Sequence, residues 1–196
     1  MFFIKIESQA KKLDGYIINK NNDTSKCQIV QNFMVVSGID ISSFQAGITI
    51  IDSVGKKQNY LPTELNGFGI YDLTDTLHFL PVHVPVGVFI SATKEKWFFM
   101  NIVDRRFIKV YFYLDVISEY GGGYSGKRRV PTYVVQKFGT EMASWLYATK
   151  KQPYKGFFKS FIPEHFSFFE SLSENAKRDE VLKIIDEFNS KMEKHN

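Results

Sequence analysis

Trp97-Phe98-Phe99-Met100-Asn101-Ile102-Val103, then Asp104-Arg105-Arg106, then Phe107-Ile108-Lys109-Val110-Tyr111-Phe112-Tyr113-Leu114, reads as two strands closed by a charged turn. Aromatic and β-branched residues dominate both runs, and such side chains suit a pleated, half-buried surface. In the second run Phe107, Tyr111 and Tyr113 share one face, and Ile108, Val110 and Phe112 share the other with Arg106. Arginines beside tyrosines on a sheet suggest a platform for unpaired bases; the competing reading of each ring is core.

Upstream the same pattern recurs. Runs at 2–7, 15–19, 28–36, 46–53, 68–71 and 84–92 are short and rich in Ile, Val, Phe or Tyr, and most end within two residues of a Gly, Asn or Asp punctuator. Asn19-Lys20-Asn21-Asn22-Asp23 and Ser53-Val54-Gly55-Lys56-Lys57 are hairpin turns by composition. The segments 39–45 and 60–67 read as loops or single turns, and 73–80 as a short helix begun by Asp72 or Asp75.

Downstream lies the densest cluster of chemistry. Tyr120-Gly121-Gly122-Gly123-Tyr124-Ser125-Gly126-Lys127-Arg128-Arg129-Val130-Pro131-Thr132-Tyr133 holds four glycines, three consecutive cations and three tyrosines. Glycine lets a backbone approach a ligand closely, Lys and Arg supply charge, and tyrosine supplies a flat face. The segment 119–132 is therefore expected to be a basic, glycine-rich loop. Gly121-x-x-x-x-Gly126-Lys127 also follows a phosphate-binding P-loop until Arg128 stands where Ser or Thr would hold magnesium. Pro131 biases Val130 towards an extended conformation, so no helix opens directly from the loop.

Beyond the loop the period changes. Val134, Val135, Phe138, Met142, Trp145 and Leu146 recur at three- and four-residue intervals, which predicts a helix of about four turns capped by Thr132. Pro163-Glu164 opens a second helix carrying Phe166, Phe169 and Leu172, and Val181, Ile184, Ile185, Phe188 and Met192 define an amphipathic third. Strands first and helices afterwards give an α+β fold. The expectation is a single domain, 1–196, with a curled antiparallel sheet or partial barrel over 1–114 and a helical layer over 133–196.

Net charge is +4, but it is unevenly spread. Residues 1–93 carry 7 cations and 8 anions, 94–160 carry 13 and 5, and 161–196 carry 5 and 8; the middle segment also holds 16 of the 31 aromatics. A basic, aromatic middle third points to a polyanionic partner. The expected function is non-catalytic binding of nucleic acid, single-stranded DNA or RNA. Arg105, Arg106, Lys127, Arg128 and Arg129 would meet phosphates, Tyr120, Tyr124 and Tyr133 would stack, and Gly121, Gly122, Gly123 and Gly126 would let the backbone close in. An acidic protein partner is the alternative, and a metal-independent RNA-processing enzyme the second.

For the enzyme, His78 or His83 would be the base and a loop cation the charge stabiliser. They lie five apart across Pro81, so an extended chain turns them to opposite faces. No metal-ligand spacing and no cofactor motif is present. Cys27 is the single cysteine, so no internal disulfide forms, and a cytoplasmic location is expected. No apolar run reaches the ~18 residues of a spanning helix, so no membrane partner is expected.

Overall fold

The computed structural model describes residues 10–31, 38–73, 75–86, 94–121, 124–148 and 152–194. One antiparallel sheet of ten strands dominates it: β1 (Lys11–Ile18), β2 (Thr24–Gln31), β3 (Ile48–Ile51), β4 (Lys57–Tyr60), β5 (Gly67–Tyr71), β6 (Thr76–Val86), β7 (Lys94–Asp104), β8 (Ile108–Gly121), β9 (Tyr124–Lys137) and β10 (Ser144–Leu146). Their order in the sheet is β10-β9-β8-β7-β6-β5-β1-β2-β3-β4. Helices follow: α1 (Tyr154–Phe161), a 3-10 helix over Pro163–Phe169, and α2 (Arg178–Glu193). The expected α+β class with a C-terminal helical layer is what forms.

Strand alternation sorts the apolar residues onto two faces. One face carries two cores. Ile17, Ile29, Ile50, Phe68, Phe79 and Phe99 pack under Phe44 of a short 3-10 turn, Ile41–Phe44. Farther along the same face, Ile108, Val110 and Val135 pack against Phe158, Phe169, Val181, Ile185 and Phe188 of the helices. The opposite face curls from β6 to β10 around Val82, Val84, Met100, Tyr111, Val134 and Ala143. The curl nearly meets itself, since Met142 forms a parallel bridge with His83, and Trp145 Nε1 donates to the Pro85 carbonyl at 2.7 Å. The sheet does not close into a barrel.

Three sequence expectations fail. Residues 132–146 are not a helix: β9 runs through to Lys137, a turn follows, and β10 returns beside it. The three- and four-residue spacing misled because Val134 and Val135 are consecutive strand residues serving the two opposite cores. The segment 119–132 is not a loop, since its described residues are the paired ends of β8 and β9. The helix expected over 73–80 is the start of β6, and the described strands 67–71 and 76–86 form a hairpin there. The strand expected over 2–7 lies outside the described residues, as do parts of those expected over 28–36 and 84–92.

Pro131 sits inside β9 for a physical reason. It opposes Leu114, whose N–H and C=O turn away from β9 to the side-chain amide of Gln45, at 2.7 and 3.0 Å. That register needs no N–H from the proline. The Gln45 backbone carbonyl accepts from Phe99 N at 2.9 Å, so this buried residue wedges β7 and β8 apart where their own pairing ends.

Asn189 of α2 plays a comparable part for the helical layer. Fully buried, it accepts from Ile108 N at 2.8 Å and donates to Ile108 O at 2.8 Å and to Asp104 at 3.0 Å. Each buried backbone group orphaned by its removal costs about 1–3 kcal/mol. Asn189→Ala is expected to lower the urea midpoint accordingly with the unfolding slope unchanged; a midpoint within error of the parent would refute this role.

Candidate nucleic-acid interface

The described site residues fall into three places: the turn before β8, the far tip of the β8–β9 pair, and the body of β9, where Arg128, Arg129 and Tyr133 sit. Arg105 and Arg106 occupy the turn before β8, while Tyr120, Gly121, Tyr124, Gly126 and Lys127 sit at that strand's far end and its return. Thirteen residue steps along β8 separate Ile108 from Gly121, and at the rise of an extended strand that is about 40 Å. The arginine turn and the glycine tip therefore do not form one cleft. Gly122 and Gly123 lie outside the described residues.

Arg106 is committed internally. Its guanidinium pairs with Asp104 at 2.6 Å, with Asp186 of α2, and with Glu193 at 4.0 Å, and donates to Ser190 at 2.9 Å. Hydrogen bonds to Asp104 and Asp186 hold its pKa above the ordinary value. Burial pushes the Asp104 carboxyl up, but donors from Arg106 and Asn189 outweigh it and hold that group below its usual range. Arg106 is thus a bolt between α2 and the β7–β8 turn. Together with Arg105, Asp104 and Asp186 it lines an open pocket of about 350 Å³ whose apolar wall includes Val110, Tyr133, Leu182 and Ile185.

Arg129 is also engaged, with the buried carboxylate of Asp40 at 2.7 Å. Asp40 caps the turn that carries Gln45, accepting from Ser42 N and Oγ. Tyr133 already bears a cation, Arg178, whose guanidinium lies 5.8 Å from the ring centroid while its Nη1 donates to Pro131 O. Tyr111 and Tyr113, the possible platform, face the curled core. Tyr111 is 2% exposed with its hydroxyl on Gln136, and burial pushes that phenol up to about 12.

What remains at the far end is a ribbon. β8 pairs with β7 only as far as Phe112, and β9 pairs with β10 only from Tyr133 to Val135. From Tyr113↔Thr132 to Gly121↔Tyr124 the two strands pair with each other for nine residue pairs. No third strand flanks them among the described residues. Lys127, Arg128 and Arg129 follow one another on the returning strand, opposite Ser118, Ile117 and Val116.

Arg105 behaves differently from its neighbour. It is exposed and has no carboxylate partner among the described residues. Its charge reaches a pair that the sequence reading missed: Tyr16 Oη and His78 Nδ1, hydrogen-bonded at 2.6 Å. Burial, then Arg105, lowers the His78 pKa against a smaller opposing effect of Asp75. Burial raises that of Tyr16. Only cross-strand register could have revealed this contact, because 62 residues separate the partners.

The lowered histidine has a measurable consequence. The unfolded chain takes up a proton near the ordinary value of 6.5, whereas the folded chain does so only at lower pH. Stability from this group is therefore full above 6.5 and is lost as pH falls towards the folded value. Between pH 8 and 5 the wild type is expected to lose more unfolding free energy than His78→Gln; equal losses would refute the assignment.

His83 lies on the opposite face from His78, as the sequence spacing implied, and stacks on Trp97 at 4.7 Å. Cys27 is buried, and burial pushes its thiol up to about 11, away from nucleophilic use. Among the described residues no helix is long and apolar enough to cross a membrane, and no three His, Cys, Asp or Glu side chains gather as metal ligands. Compared with known proteins, the chain matches no family model, no curated protein and no solved structure.

Proposed function

We propose that this protein binds nucleic acid, single-stranded DNA or RNA, through the outer half of the β8–β9 ribbon. The observation that carries the reading is a nine-pair, two-stranded ribbon that has Lys127-Arg128-Arg129 on one strand, with Gly121 and Gly126 near its end. Among the described residues no strand flanks the ribbon, so past Leu114 outward backbone N–H groups would meet phosphate oxygens, and its cations release counterions on binding. Tyr120 and Tyr124 are the bases' stacking partners in this reading. Arg106 and Tyr133 drop out because each is held by its own protein, while Arg129, the clamp on Asp40, and Arg128 each also make a contact within the chain.

The reading is tested by fluorescence anisotropy with labelled single-stranded RNA, single-stranded DNA and duplex DNA of equal length. Tighter binding of the single strands supports it, and absence of binding to all three defeats it. The same unpaired ribbon edges favour a second reading, strand addition by an acidic polypeptide. A pull-down that retains its partner after nuclease treatment would select that alternative.

A further inference from the structure

We propose that the sheet face around Tyr16, Tyr71 and His78 is a binding site for a nucleotide, with the base on the tyrosine rings and the phosphate on Arg105. This site is separate from the ribbon and rests on different residues. Tyr16, Gly69 and His78 lie side by side on β1, β5 and β6, on the face opposite the Phe68 and Phe79 core. Lys26 is the cross-strand neighbour of Tyr16 on β2.

Gly69 makes the arrangement possible. A Cβ there would sit 2.4 Å from the Tyr16 ring, so only glycine lets that ring lie flat across β5 and reach His78. The Tyr16 centroid is 5.9 Å from Tyr71 and 6.2 Å from His78. The hydrogen bond locks two of the three rings, and Tyr71, 46% exposed, offers its face to solvent. Of two neutral groups the phenol is the stronger acid and donates, which leaves the imidazole proton on Nε2 as a donor for a ligand acceptor.

Lys26 neighbours Tyr16 across the β1–β2 pairing, and the charge of Arg105, in the turn after β7, reaches both Tyr16 and His78. Arg105 and Lys26 are both exposed and carry no carboxylate among the described residues. A fixed aromatic surface beside uncommitted cations matches a flat base joined to a phosphate, and a bare anion would make no use of the rings. The nucleotide can arrive free or as one unit of a strand, and the chemistry recognised is the same.

The test titrates the full chain with adenosine monophosphate, adenosine, and a tetranucleotide, following the tyrosine and histidine side-chain resonances. Expected are saturable shifts with adenosine monophosphate, weakened about 5- to 150-fold by Tyr71→Ala. Arg105→Ala should weaken the monophosphate and leave adenosine unchanged. Tighter binding of the tetranucleotide than of the monophosphate assigns the site to a strand, and the reverse assigns it to the free nucleotide. Absence of shifts with all three ligands, or equal binding by Tyr71→Ala with its fold intact, overturns the proposal. Because Lys127→Glu/Arg128→Glu leaves these residues untouched, retained monophosphate binding in that variant separates this site's fate from that of the ribbon.

Discussion

Phe169→Ala is expected to destabilise the protein by about 3–5 kcal/mol, the usual consequence of emptying a large aromatic site in a core. Phe169 is fully buried, its ring stacks on Phe158 at 4.1 Å and 4°, and Phe188 of α2 lies 5.3 Å away. The 3-10 helix, α1 and α2 thus meet on one side chain. Against a total stability of roughly 5–15 kcal/mol, the loss is a third or more in a marginal domain. Phe169→Leu keeps much of the volume and should lose clearly less. Chemical unfolding followed by circular dichroism reads both variants; a shift under about 1 kcal/mol for alanine would mean that the helical layer is not held this way.

The second large effect concerns binding. Lys127→Glu/Arg128→Glu reverses two consecutive cations on β9, and single-strand affinity at low salt should fall on the order of 100-fold or more, since each lost phosphate contact also removes about 0.7 from the salt slope. The β8–β9 ladder is a backbone pairing, which neither substitution removes, so the variant should fold, and circular dichroism checks that it does. Arg129 is left out of the variant on purpose. Its tie to the buried Asp40 means that changing it would disturb the turn holding Gln45 and confuse stability with binding. Unchanged affinity in the folded double variant would remove the ribbon from the account.

Much of the sheet was legible because local signals agree with it. The Asn19–Asp23 turn joins β1 to β2, and the turn around Gly55 joins β3 to β4 with Gly55 at φ +84°, where composition indicated both. The amphipathic stripe of α2 was equally plain, because Val181, Ile185 and Phe188 repeat at helical spacing and are all buried. The failure at 132–146 has a specific cause. Strands covered on both faces lose the alternation that marks a half-buried strand, and Val134 and Val135 each face a core.

The site was legible in composition and illegible in space. Lys127-Arg128-Arg129 and Arg105-Arg106 are conspicuous cations, yet nothing local tells a ligand-facing arginine from one bolted to Asp186 across 80 residues of chain. The Tyr16 and His78 pair was hidden for the same reason, with Gly69 in between giving no sign that its missing side chain makes room for a ring. Register decides such contacts, and register belongs to the whole sheet.

The most direct test of the central claim is a salt titration of anisotropy, with a labelled single-stranded RNA against the wild type and against Lys127→Glu/Arg128→Glu. If the ribbon grips phosphates, the logarithm of the wild-type affinity falls linearly with the logarithm of salt, and the variant's line is lower and shallower. A wild-type affinity indifferent to salt, or two superimposable lines, would contradict it.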